Sequence, residues 1–263
     1  MGEQAPRSTS FSYRVTTVLA RAVTWGQRLA GLGRGIVYSE SPREVLGRSP
    51  QWAFESEPPL PQRPTPPPLS AFPVTNAISI LCIGVFAACF AWGFWPVFEW
   101  LRFPELIELE HLWQGWRWIT PAFFHFGWMH IGFNVLWWFL LGRLVEFYQG
   151  SVRLLILFLA AALIPNFAQY IVTGVDFGGL SGVVYGLFGY VWVYGHLRPG
   201  EGLHVSMSLM VQILAWLVLG FTGWFEDWVG IRMANAAHLG GLLVGAFLAW
   251  LYALNATARR SNY

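Results

Sequence analysis

FGGLSGVVYGLFGYVWVYGHL occupies residues 177–197 and contains no Asp, Glu, Lys or Arg. At 21 residues it is the shortest of six such charge-free windows; the others are 64–98, 118–142, 154–175, 202–225 and 233–258. A helix needs about 20 residues to cross the hydrocarbon core of a bilayer. A soluble fold rarely contains six helices that are apolar on every side. The windows therefore predict an all-α membrane protein with six spans, near 75–96, 124–144, 152–172, 181–197, 205–224 and 234–254.

Composition agrees. Hydrophobic residues make up 55% of the 263, and 28 Gly bring the apolar share to about 66%, against about 45–50% in a soluble domain. Charged residues are 11%, against about 25%. These figures exclude a disordered chain, a basic nucleic-acid binder and an ordinary cytosolic enzyme. A net charge of +2 is too small to argue for an anionic partner, and all 16 basic residues are Arg. Cys82 and Cys89 lie in one apolar run, where packing inside a helix explains them without redox chemistry.

Arg placement orients the chain. With a cytoplasmic N-terminus, eight Arg precede the first span, and Arg143, Arg153, Arg198, Arg259 and Arg260 join them inside. Only Arg102, Arg117 and Arg232 fall outside, which is the positive-inside pattern with both termini cytoplasmic.

The first 73 residues are a different material. Residues 58–73 hold eight prolines and read as a semi-rigid linker. Within residues 1–57, the segment 12–30 spaces Val15, Val18, Leu19, Ala22, Val23 and Leu29 helically, with Arg14, Arg21 and Arg28 between. That is a basic amphipathic helix for the inner membrane face. The acid-free stretch from Gln4 to Ser39 also fits an organellar transit peptide. The expected organisation is thus an N-terminal region 1–57, a linker 58–73, a membrane domain 74–256 and a cytoplasmic tail 257–263. Between spans 1 and 2, the loop 97–123 mixes four Glu with Trp100, Trp113 and Trp116 and should lie partly in the outer leaflet.

Parity then groups the unusual polar residues. Spans 2, 4 and 6 all start at the outer face. Span 2 opens with His125, His130 and Asn134, span 4 with Gly179, Leu180, Ser181 and Gly182, and span 6 with Asn235 and His238. Polar groups within a membrane are expensive and face a bundle interior or a water cavity, so this layer is the candidate functional site.

Ser181 stands between glycines at a loop-to-helix junction. The free N–H groups of a helix N-terminus favour developing negative charge there, although a plain N-cap serine is the simpler alternative. His238 shares a helix face with Gly241 and Gly245, a smooth stripe that admits a close neighbour. Such a neighbour could bring a serine hydroxyl to the imidazole; a packing histidine is the alternative. His130 and Asn134 are i and i+4, on one face, and both can donate to an oxyanion. His125 lies about 140° round a helix from His130 and should not join that face. Tyr185, at i+4 from Ser181, can pack on the imidazole or simply in the core. With no HExxH motif and no acid in any window, neither a metal site nor an Asp to orient His238 is expected.

Four segments carry a resemblance: GWR (115–117), HFGWMHIGFNVLWWFLLGRLVE (125–146), FGGLSGVVYGLFGYVW (177–192) and ANAAHLGGLLVG (234–245). Together they resemble the rhomboid family of intramembrane serine proteases, in its bacterial six-span form, over roughly residues 74–256. The resemblance implies Ser181 as nucleophile and His238 as general base, then acid. It implies His130 and Asn134 as oxyanion donors, joined by the backbone N–H of Ser181, with that of Leu180 as a further candidate. Tyr185 matches the residue stacked on the catalytic His, and Gly179 the glycine of the G-x-S-G motif. Gly241 and Gly245 match glycines that let spans 4 and 6 pack. Trp116, Arg117 and Glu146 match structural positions, and His125 matches a position near the water-accessible cavity. The N-terminal 73 residues do not match the family's small cytoplasmic domain. Span 5, the family's substrate gate, aligns poorly, which leaves Trp216, Phe221 and Trp224 as unranked gate candidates.

The expected activity is cleavage of transmembrane segments near the outer leaflet by a Ser–His dyad, with no cofactor. Its partners would be membrane-protein substrates and the lipid bilayer, and its place the bacterial inner membrane, or alternatively a mitochondrial one. A catalytically silent rhomboid-like scaffold would lack the Ser or His that this chain has. A transporter would use intramembrane His and Asn but needs no reactive serine.

Overall fold

In the computed structural model, residues 67–105, 113–229 and 232–260 are described. The amphipathic segment 12–30, most of the proline-rich linker and residues 261–263 lie outside them. The described helices are α1 (Pro73–Trp92), the short α2 (Phe94–Leu101), α3 (Trp128–Gln149), α4 (Ser151–Thr173), α5 (Ser181–Leu197), α6 (Met207–Phe221), the short α7 (Trp224–Val229) and α8 (Asn235–Arg260). No strand occurs among the described residues. Six of these helices, α1, α3, α4, α5, α6 and α8, form the bundle.

Pro73 suits the first position of α1, where its missing N–H would have had no helical partner. The next amides are satisfied from another helix. The Glu146 carboxylate, near the end of α3, accepts from Val74 N at 2.9 Å, Thr75 N at 2.9 Å, Thr75 Oγ1 at 2.6 Å and Ser151 Oγ at 2.7 Å. An anion at a helix N-terminus also meets the positive end of the macrodipole. One carboxylate thus ties α1, α3 and the start of α4.

The other end of α1 departs from the expected span 75–96. Gly93 takes φ 91°, so α1 stops at Trp92 and α2 restarts the chain in a new direction. The segment after α2 is held by Arg117, which is buried and donates to Arg102 O at 2.8 Å, Gln114 Oε1 at 2.9 Å and Glu99 O at 3.2 Å. Thr120 Oγ1 adds a bond to Leu101 O at 2.7 Å. Arg117 therefore satisfies carbonyls left open at the end of α2.

Span length varies. Pro73–Trp92, Ser151–Thr173 and Asn235–Asn255 are each long and apolar enough to cross a membrane by themselves. The polar load of α3 includes His130, Asn134, Arg143 and Glu146. At 17 residues α5 runs from Ser181 to Leu197, as the sequence predicts. The 15 residues of α6 cover only about 22 Å, short of the predicted 205–224. In contrast, α8 runs on to Arg260, past the predicted start of the tail at 257.

At the centre is α5. Every residue from Gly182 to Val191 is buried, and α3, α4 and α8 pack around it. Large apolar side chains cover the outside instead, among them Ile80, Phe90, Val152, Ile171, Val211 and Leu243, all exposed. Water would not tolerate so continuous an apolar surface; lipid requires it.

Candidate active site

Backbone conformation sets the serine. Gly179 adopts φ 121°, which side chains with a Cβ rarely take. A Cβ there would also run into the His130 ring, 2.5 Å from Nε2 and 2.7 Å from Cε1. The turn then delivers Leu180 as N-cap and Ser181 as the first residue of α5, with its N–H in the unpaired first turn. The segment is pinned from behind: Gly179 N donates to Pro121 O at 2.9 Å and Leu180 N to His125 Nε2 at 3.3 Å.

The histidine arrives from α8. Gly241 faces the carbonyl of Gly182 and Gly245 that of Gly186, each too close to admit a Cβ. Gly189 in turn faces the Leu242 carbonyl. At this backbone-to-backbone approach, His238 Nε2 lies 2.8 Å from Ser181 Oγ. The Tyr185 ring stacks on the imidazole, with centroids 4.7 Å apart and planes at 29°. His238 is buried, Ser181 half-buried. Its Nδ1 is buried with no hydrogen-bond partner, so no carboxylate orients the ring. The Tyr185 stack and the helix packing do that instead.

From α3, His130 and Asn134 approach the same spot. Phe126 N donates a long bond, 3.4 Å, to His130 Nδ1, which leaves the ring proton on Nε2, the atom turned toward Gly179. Asn134 is buried, and its Nδ2 donates to His130 O at 2.9 Å, with a second proton to spare. His130, Asn134 and the Ser181 hydroxyl are therefore gathered around the Gly179–Ser181 backbone.

His125 differs from its expected place. α3 begins at Trp128, because Gly127 is still extended, so the helical-wheel relation to His130 does not apply. The ring of His125 is fully buried and stands edge-on to His130, with centroids 5.0 Å apart. Its Nε2 takes the Leu180 N–H that had been a further oxyanion candidate.

Two supports escaped the sequence reading, and a third, Asn235, appeared there only as a member of the polar layer. Gly186 and Gly189, with Gly182, form the counter-stripe on α5; their i, i+4, i+7 spacing was the available signal. Gln169 of α4 reaches across to accept from Ala237 N at 3.0 Å, in the first turn of α8 and next to His238. Asn235 Nδ2 donates to Gly220 O of α6 at 2.9 Å. Both are long-range, so no local pattern announces them.

These features define a class: a membrane-embedded helical bundle with a serine and a histidine joined across two glycine-packed helices. The chain belongs to the rhomboid family, and the family profile described as Rhomboid domain matches residues 112–255. It is 42% identical over 189 residues to the proteins named Rhomboid protease GlpG of Salmonella choleraesuis (strain SC-B67), Salmonella typhi and Salmonella newport (strain SL254). That match covers 72% of this chain and 66% of each relative, so the chain spans just under two thirds of their length.

Proposed function

We propose that this protein is an intramembrane serine endopeptidase working through a Ser181–His238 dyad. The observation that carries the reading is the 2.8 Å contact between Ser181 Oγ and His238 Nε2. The names of the Salmonella relatives, each a rhomboid protease, support it. Since Nε2 accepts the serine proton, the resting ring carries its own proton on Nδ1.

Ser181 Oγ attacks a scissile carbonyl carbon and its proton passes to His238 Nε2. Negative charge moves to the carbonyl oxygen, where His130 Nε2–H, Asn134 Nδ2–H and the Ser181 N–H donate. One such donor is worth about 3–4 kcal/mol, and the general base about 10²–10⁴-fold. The C–N bond then breaks, and His238 gives the proton to the leaving nitrogen. Water repeats the sequence on the acyl-enzyme and regenerates Ser181.

The substrates are transmembrane segments of other membrane proteins. A helix hides its carbonyls in its own hydrogen bonds, so segments with helix-weakening residues and small side chains near the cut are favoured. With both termini cytoplasmic in a bacterial inner membrane, the dyad serves the outer leaflet. The proposed organisation is an N-terminal region 1–57, a linker 58–73, the membrane domain 74–256 and a cytoplasmic tail 257–263.

Co-reconstitution in vesicles with single-span reporter proteins tests this. Cleavage mapped by mass spectrometry inside a span, near its outer boundary, is expected, and Ser181→Ala and His238→Ala should each abolish it. Cleavage that persists in Ser181→Ala overturns the assignment.

A further inference from the structure

The dyad accounts for Ser181, His238, His130 and Asn134, yet leaves a fully buried histidine without a task. His125 Nδ1 lies 3.1 Å from Phe123 O. A carbonyl only accepts, so Nδ1 carries the ring proton. Nε2 is then a lone pair, and it accepts Leu180 N–H at 3.3 Å. The two bonds demand one tautomer of neutral imidazole. The segment they pin is the one in which Gly179 takes φ 121° against His130 and Ser181 begins α5.

Resting on the dyad reading above, we propose that His125 is a positioning residue for the oxyanion side of the site. As the Nδ1–H tautomer it bridges the Phe123 carbonyl and the Leu180 amide, and so fixes the direction of the Ser181 N–H relative to His130 and Asn134. It touches neither substrate nor Ser181. Its second consequence concerns Leu180: that amide is committed to His125 and is not among the oxyanion donors of the resting enzyme.

The bridge makes an asymmetric prediction. The side-chain amide of Gln reaches about as far as Nε2, whereas that of Asn reaches only the Nδ1 position. His125→Gln therefore keeps an acceptor for Leu180 N–H, and His125→Asn keeps only the contact with Phe123 O. The purified full-length protein is titrated with a fluorophosphonate, whose phosphoryl oxygen occupies the oxyanion position once Ser181 is phosphonylated. His125→Asn should lower the maximal inactivation rate about 10- to 100-fold, the usual scale of a misplaced catalytic group, with the half-saturating concentration unchanged. His125→Gln should stay within about threefold of wild type because its acceptor survives. A purely structural role would cost both variants alike. Equal losses in the two folded variants, or no loss in either, overturn the proposal. If His125→Asn does not fold, His125→Leu, which is close in volume and lacks the acceptor, replaces it with the same expectation.

Hydrogen exchange at the Leu180 amide, read by NMR on leucine-labelled protein, needs no activity. Slow exchange in wild type and His125→Gln with fast exchange in His125→Asn is expected, and equal exchange in all three overturns the bridge. A wild type that resists the probe while showing that exchange pattern would defeat the dyad reading and leave the bridge standing.

Discussion

Of the helices that pack on α8, α5 and α6 hold it in opposite ways. Against α5 the contact is backbone to backbone: Gly241, Gly245 and Gly189 meet the carbonyls of Gly182, Gly186 and Leu242 with no room for a Cβ. Against α6 the contact is slight. One face of α6 turns Met210, Ile213, Leu217 and Gly220 inward, while Met207, Val211, Val218 and Phe221 are exposed. Asn235 Nδ2 to Gly220 O is a polar link between them. The 2.8 Å contact between Ser181 and His238 lies on the first interface, so backbone packing sets its length. The second is the sparser of the two. In a membrane there is no water-driven apolar attraction between helices, so close packing is what separates a rigid interface from a loose one.

Four substitutions sharpen that contrast. The largest effect is expected from Gly245→Val, whose branched side chain would collide with the Gly186 carbonyl. Overpacking of this kind costs about 1–3 kcal/mol or more, and here it cannot be relieved by a rotamer. Thermal unfolding in detergent should drop sharply, and fluorophosphonate labelling should disappear.

Glu146→Ala comes next, at the end of the bundle remote from Ser181. It strands the donors of Val74, Thr75 and Ser151. Hydrogen bonds to a charged acceptor are worth about 1.5–3 kcal/mol, so a stability loss near the top of that range is expected. Labelling per folded molecule should be unchanged, and a lost label at full folding would show the two ends coupled.

Gln169→Leu removes the acceptor from Ala237 N. A lost helix cap costs about 1 kcal/mol. Because the cap adjoins His238, the labelling rate should fall several-fold alongside a modest drop in melting temperature. The smallest effect is expected from Asn235→Ala, which frees α6. Stability should fall by about 0.5–1.5 kcal/mol for one hydrogen bond. Cleavage of membrane-embedded reporters should be held or raised, while labelling by the small probe stays constant. A strong loss of both would assign α6 to the rigid part of the molecule.

Much of this arrangement could be read in the chain. Six charge-free windows gave six spans, and the start of α5 at Ser181 followed from the glycines around it. Gly241 and Gly245 announced a close neighbour, and the pairing of His130 with Asn134 needed only helical spacing. What escaped was either local backbone geometry or long-range contact. Gly93 lies in an apolar run that shows no break, yet its positive φ ends α1 early. His125 was placed on a helix that begins three residues later. The bonds of Gln169 and Asn235 run to other helices, which no local pattern reveals. Span 5 aligned poorly with the family, and α6 is also the shortest of the six helices and the least tightly held.

The central claim is that Ser181 is an activated nucleophile because His238 stands beside it. Fluorophosphonate labelling of wild type, Ser181→Ala and His238→Ala, followed by mass spectrometry of the labelled peptide, tests it directly. The account predicts one adduct, on Ser181, absent from both variants although each melts like wild type. An adduct on another residue, or labelling that survives in folded His238→Ala, would contradict it.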